Sequence, residues 1–247
     1  MDRNFHKTDM RLIKCLLSGI LLFCFNLGVS LHAAELTEFD AHYKAFRYGK
    51  ELGTAELKLE SLGRERFRLS YQSKVSMFFL SDKRSEVSLF SYSDDKIIPF
   101  KYNYERTGFG SDKSLVVQFD RQKNAININN ESSLQWKNEL DNQLYRLDIQ
   151  LQLAEGKKEL QYNLLNYRGE LRQYNLVVMS STEQLSLPYG MLEGVKVKIV
   201  RPNSTRETYA WFAPSLNYQL VRLKQLKDGE EQGDIQLSAF SSVSSTN

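Results

Sequence analysis

Apolar side chains recur at every second position through most of this 247-residue chain, and that period constrains the fold more than any other feature. Phe39, Ala41, Tyr43 and Ala45 alternate with Asp40, His42 and Lys44. Leu57 and Leu59 alternate with Glu56, Lys58 and Glu60, and Phe67, Leu69, Tyr71 and Val75 oppose Arg66, Arg68, Gln72 and Lys74. Phe100, Tyr102 and Tyr104 oppose Lys101, Asn103 and Glu105; Leu115, Val117 and Phe119 follow, then Val195, Val197 and Ile199 against Lys196 and Lys198. Successive side chains of a strand point to opposite faces, so each run makes one apolar face and one charged face. A sheet that is wet on one side is the antiparallel habit. Gly and Asp stand between the runs, at 49–53, 93–96, 107–112, 120–123 and 227–230, and supply the backbone angles of hairpins. The spacing predicts an all-β chain of about twelve antiparallel strands.

One segment departs from this period. Leu140, Leu144, Leu147 and Leu151 recur at helical spacing, with Asn138 placed as an N-cap and Gly156 as a stop. A single amphipathic helix, packed on the sheet or plugging it, is expected here.

Residues 1–33 have the three zones of a secretory signal. Arg3, Lys7, Arg11 and Lys14 precede the apolar run 15–25, and the small residues at 33–34 suit a peptidase that cuts after Ala33. The run is short for a membrane span, which needs ~20 apolar residues. The expectation is a cleaved signal peptide, periplasmic export, and one all-β domain over 34–247 with no transmembrane span. Cys15, Cys24, His6 and His32 leave with the signal, so the mature chain has no thiol and one imidazole, His42. That excludes disulfide scaffolds, Cys/His zinc sites and cysteine nucleophiles, and no metal or cofactor is called for. The charge is +3 overall, and +1 without residues 1–33, which gives no basic excess for nucleic acid.

Chemistry-bearing residues are sparse. His42 lies on a polar strand face without the oriented partner that acid–base work needs. Ser-Asp-Lys occurs at 81–83 and 111–113, but without the surroundings of a Ser–Lys acyl-transfer dyad. The acidic pairs Asp94-Asp95 and Glu230-Glu231 are adjacent on turns, whereas glycosidase carboxylates face each other across ~5–10 Å. Gly108-Phe109-Gly110 lacks the third glycine and following helix of a dinucleotide fingerprint. No catalytic residue is assigned. Aromatics are denser: Phe100, Tyr102, Tyr104, Tyr209 and Trp211 are expected to line an amphipathic concavity, because such rings give apolar area with a polar tip.

Several stretches together resemble a bacterial exported family called domain of unknown function 3108. They are Phe39-Asp-Ala-His-Tyr43 with its glycine-spaced hairpin, Val117-Gln-Phe-Asp120, 144–156, and Trp211-Phe-Ala-Pro-Ser-Leu-Asn-Tyr218 leading into Val221-Arg-Leu223. The resemblance spans essentially the whole mature chain. Arg121 and Asp141-Asn142 depart from it, an aromatic and an acidic dipeptide being expected there. It implies a curved or half-open antiparallel sheet or barrel in the envelope, and carries over no catalytic residue.

The expected function is a non-enzymatic envelope module that binds a lipid-like or other amphipathic small molecule, with envelope proteins as further possible partners. Two other classes stay open: a hydrolase using a Ser–Lys or carboxylate pair, and a structural or interaction protein of the envelope.

Overall fold

The turns set the path of the chain. The computed structural model describes residues 36–77, 80–201 and 204–243; the expected signal peptide and the expected cleavage after Ala33 lie outside these. Strand β1 (Phe39–Arg47) joins β2 (Lys50–Gly63), β4 (Leu80–Ser93) joins β5 (Lys96–Gly108), and β14 (Gln219–Lys227) joins β15 (Glu230–Ser242) through two-residue turns. At all three turns both central residues have positive φ: 49° and 74° at Tyr48 and Gly49, 51° and 57° at Asp94 and Asp95, 53° and 81° at Asp228 and Gly229. That geometry matches the right-handed twist of the strands it connects. The other strands are β3 (Arg66–Met77), β6 (Lys113–Asp120), β7 (Ala125–Ile128), β8 (Ser132–Gln135), β9 (Leu140–Asp141), β10 (Glu159–Leu165), β11 (Leu171–Leu187), β12 (Gly190–Val200) and β13 (Arg206–Ala213). These 15 strands exceed the number read from alternation because β7, β8 and β9 have only four, four and two residues, too few to show a period.

All 15 strands form one sheet, in the order β8-β7-β6-β5-β4-β3-β2-β1-β15-β14-β13-β12-β11-β10-β9. Every pairing is antiparallel except β9 with β10. β1 pairs with β15, so the first and last strands meet at mid-sheet. The sheet rolls without closing. Its two arms meet through side chains: Leu165 of β10 packs with Tyr102, Tyr104, Leu115, Val117 and Ile126 of β5–β7, and the Tyr104 and Tyr167 rings lie 5.3 Å apart. The expected curved, half-open antiparallel sheet is what the chain forms.

Helix α1 (Leu144–Ala154) lies inside the roll. Leu144, Leu147 and Leu151 share a cluster with Phe39, Leu59 and Leu69 of one arm and with Leu185, Leu187 and Val221 of the other, while Tyr145, Ile149 and Leu153 cluster with Leu160, Val197 and Phe212. The helix thus carries two adjacent apolar stripes, at i, i+3, i+7 and at i, i+4, i+8. Its start differs from the sequence expectation. Leu140 belongs to β9, Asn138 has φ 69°, and the first turn is held by Asp141, whose Oδ1 accepts the amides of Gln143 and Leu144 at 2.9 Å each. The end is as expected: Gly156 has φ 80°, its amide donates to the Leu153 carbonyl, and Lys157 donates to Gln152, the Schellman pattern.

Candidate functional site

A cavity of about 660 Å³ opens where the N-terminus of α1 meets the β10–β11 turn, Arg201 after β12 and the start of β13. Its volume falls in the roughly 300–1,000 Å³ range of small-ligand sites. Six tyrosines line it: Tyr43 from β1, Tyr71 from β3, Tyr104 from β5, Tyr145 from α1, Tyr167 from the β10–β11 turn and Tyr174 from β11. Apolar area comes also from Leu57, Ile199, Leu220, Leu223 and Ile235. Burial raises the hydroxyls of Tyr43, Tyr71 and Tyr104 above the ordinary tyrosine range, which keeps them neutral. Tyr43 is fixed on both sides, donating to the Leu220 carbonyl at 2.8 Å and accepting from Gln219 Nε2 at 2.9 Å.

Six arginines share the lining with two glutamates: Arg84, Arg146, Arg168, Arg172, Arg201 and Arg206 against Glu86 and Glu170. Arg146 and Arg201 are half-buried, and the other four are exposed. Arg84 is paired with Asp82 at 3.1 Å and Arg172 with Glu170 at 2.6 Å. The other four have no ion pair among the described residues. Arg201 donates to Thr208 Oγ1 at 3.0 Å and lies over the Tyr174 ring, while Arg146 reaches only the Tyr145 hydroxyl, at 3.4 Å.

Beneath the cavity, a buried polar network joins α1 to the sheet. Glu86 Oε2 accepts from Tyr102 at 2.5 Å and from Asn142 Nδ2 at 2.8 Å, and Ser88 Oγ donates to Asp141 Oδ1 at 2.9 Å. Burial pushes the Asp141 carboxyl up to about 7 against its hydrogen bonds, with the Glu86 charge acting in the same direction. Asp141 is wholly buried, does not reach the cavity, and spends Oδ1 on the helix start.

The five aromatics expected to share a concavity are separated. Tyr104 lines the cavity, and Tyr102 is fully buried beneath it on the same strand face. Phe100 is 40% exposed because a β-bulge on β5, where Leu89 pairs with Lys101 but Phe90 with Pro99, switches the inward parity from odd to even residues. Ile97 and Pro99 therefore point in before the bulge, Tyr102 and Tyr104 after it. Tyr209 and Trp211 lie on the opposite face of β13 from Thr208, which lines the cavity. There they form a cation–π ladder with Lys198, Lys196 and Arg222, closed by Trp211 Nε1 donating to Glu183 at 2.8 Å and by a bidentate Arg222–Asp234 pair at 2.9 and 2.6 Å.

The remaining candidates do not assemble a reactive group. Lys83 and Lys113 are both exposed, so neither is the enclosed base a Ser–Lys dyad needs. His42 is exposed on the outer face, 3.1 Å from Asp40. Among the described residues no group of three or more His, Cys, Asp or Glu could hold a metal, and no helix is long and apolar enough to cross a membrane.

Alternation could not have revealed the arginines at the turns, because Arg168 and Arg201 lie outside the strands. Arg146 had a legible signal: it is a cation between Leu144, Tyr145 and Leu147, inside the apolar stretch of a helix.

A solved structure from Brucella abortus, described as a β-barrel-like protein of domain of unknown function DUF1849, has a TM-score of 0.55 at 10% identity, over 85% of this chain and 99% of that one. It shows the fold alone. A candidate exported protein with a YmcC-like fold from Bacteroides fragilis gives 0.31 at 13% identity, over 84% and 97% of the two chains. A candidate lipoprotein from Parabacteroides distasonis gives 0.33 at 12%, over 83% and 96%. No curated protein matches the sequence. Residues 38–236 match the family described as Protein of unknown function (DUF3108), and the chain belongs to that family.

Proposed function

We propose that the mature chain, 34–247, is a non-enzymatic module of the bacterial periplasm that holds an amphipathic small molecule in the cavity at the N-terminus of α1. The observation that carries this reading is a cavity of about 660 Å³ lined by six tyrosines together with Leu57, Ile199, Leu220, Leu223 and Ile235. Tyrosine offers a ring to an apolar chain and a hydroxyl to a head group, so one wall serves both halves of such a ligand. The three-zone segment at 1–33 supports export.

Native mass spectrometry of protein purified from the periplasm, followed by organic extraction, tests the reading. A stoichiometric small molecule should co-purify, be lost from Tyr104→Leu, and be retained by Phe100→Ser, whose side chain lies outside the cavity. A bare protein mass, or equal retention by both variants, would overturn it.

A further inference from the structure

We propose that the ligand carries an anionic group of the phosphate or carboxylate class, seated at the first turn of α1 between the Arg146 guanidinium and the Gln143 amide, with Arg201 on the facing wall. This rests on the binding reading above and names the head group of that ligand.

Gln143 is 1% exposed, lines the cavity, and its Nε2 has no hydrogen-bond partner. An orphaned buried donor is costly in a folded protein, and a ligand acceptor would satisfy it. Arg146 follows three residues later, and its amide donates to the Gln143 carbonyl at 3.0 Å, which places both side chains on one face of the same helical turn. The guanidinium has no carboxylate within ion-pair distance among the described residues. Its one hydrogen bond, to Tyr145, leaves most of its donors free. Arg201 faces the same space with one donor on Thr208 and no ion pair.

The opposing charges are accounted for. Glu86 is held by Tyr102 and Asn142, and Glu170 is engaged by Arg172 and Asn166. Both carboxylates keep their charge, and Glu86 acts on Arg146 through space, but six guanidinium groups against two carboxylates leave the lining with a positive excess. The charged side chains of the lining are arginine and glutamate, without lysine, and guanidinium is the group that matches a phosphate or carboxylate with two parallel donors. Arg168, over the Tyr167 ring, and Arg206, which donates to Gln225, are exposed and without an ion pair among the described residues, and add attraction for an approaching anion.

The test is calorimetric titration of the full mature chain with three probes below their micellar concentrations: oleoyl lysophosphatidic acid, 1-oleoylglycerol, and glycerol 3-phosphate. Hydrogen bonds to a charged group are the stronger kind, so the lysophosphatidic acid should bind at least about tenfold tighter than the neutral monoacylglycerol. Arg146→Gln should reduce that ratio below about threefold. Arg201→Gln, at a less enclosed position, should reduce it too and serves if the first variant does not fold. Glycerol 3-phosphate binding as tightly as the lipid would support the anion site and overturn the amphipathic reading. Equal binding of the charged and neutral lipids, or a ratio untouched by both variants, would overturn the anion site while leaving the amphipathic reading standing. Failure of all three probes to bind would overturn both.

Discussion

Asp141 shows how one side chain ties chemistry to architecture. Its Oδ1 takes the Ser88 hydroxyl from the sheet and two amides from the start of α1, so the helix enters the roll at a defined point. The carboxyl titrates at about 7 in the folded chain, against about 3.9 for a free aspartate. Between these values the folded state binds a proton that the unfolded state does not. This contribution is therefore present below about pH 4 and is lost as pH rises through 7. Asp148, also raised by burial, acts in the same direction. Melting temperatures at pH 5 and pH 8 should differ, with the higher value at pH 5, and Asp141→Asn should narrow the difference while keeping the oxygen acceptor. Gly53 is a second residue-scale constraint: a Cβ there would fall 2.0 Å from the Lys74 carbonyl oxygen. Gly53→Ala should cost at least the ~1–3 kcal/mol of an overpacked interior, read by denaturant unfolding.

At the scale of elements, α1 is the peg on which the sheet is wound. The stripe of Leu144, Leu147 and Leu151 packs in a cluster drawn from both arms of the roll, and that of Tyr145, Ile149 and Leu153 in one drawn from β10–β13, so truncating either loosens the grip of the sheet on the helix. Leu147→Ala should cost ~2–5 kcal/mol by cavity formation, read by denaturant unfolding. The β5 bulge is the other decisive element feature. One extra residue turns Phe100 outward and Tyr102 inward, which is why an unbroken reading of 100, 102 and 104 places Phe100 on the wrong face. Bulges leave no reliable mark in alternation, because the residue types on both sides still fit a strand.

For the whole molecule, the way the arms meet matters more than the number of strands. The seam consists of side chains, with Leu165 fully buried against β5–β7. Leu165→Ala should therefore open the roll locally, raising amide exchange in β6 and β7 while β1 and β15, hydrogen-bonded on both sides at mid-sheet, stay protected. The cavity is a consequence of this roll: residues from β1, β3, β4, β5, α1, β11 and two connections converge only once the arms are wound about the helix.

Fold class, most of the strands, the helix and its Gly156 stop were legible in the amino-acid order, because these depend on period, turn residues and capping within a few positions. That order also placed Tyr102 and Tyr104 on one face, since no bulge lies between them. Tertiary structure alone decided which tyrosines share the cavity, why Trp211 and Tyr209 face away from it, and how arginines from α1, β4 and the two connections come to surround one space. Local pattern says which side chains share a strand face. The roll of a 15-stranded sheet decides whether that face becomes interior, rim or outer surface.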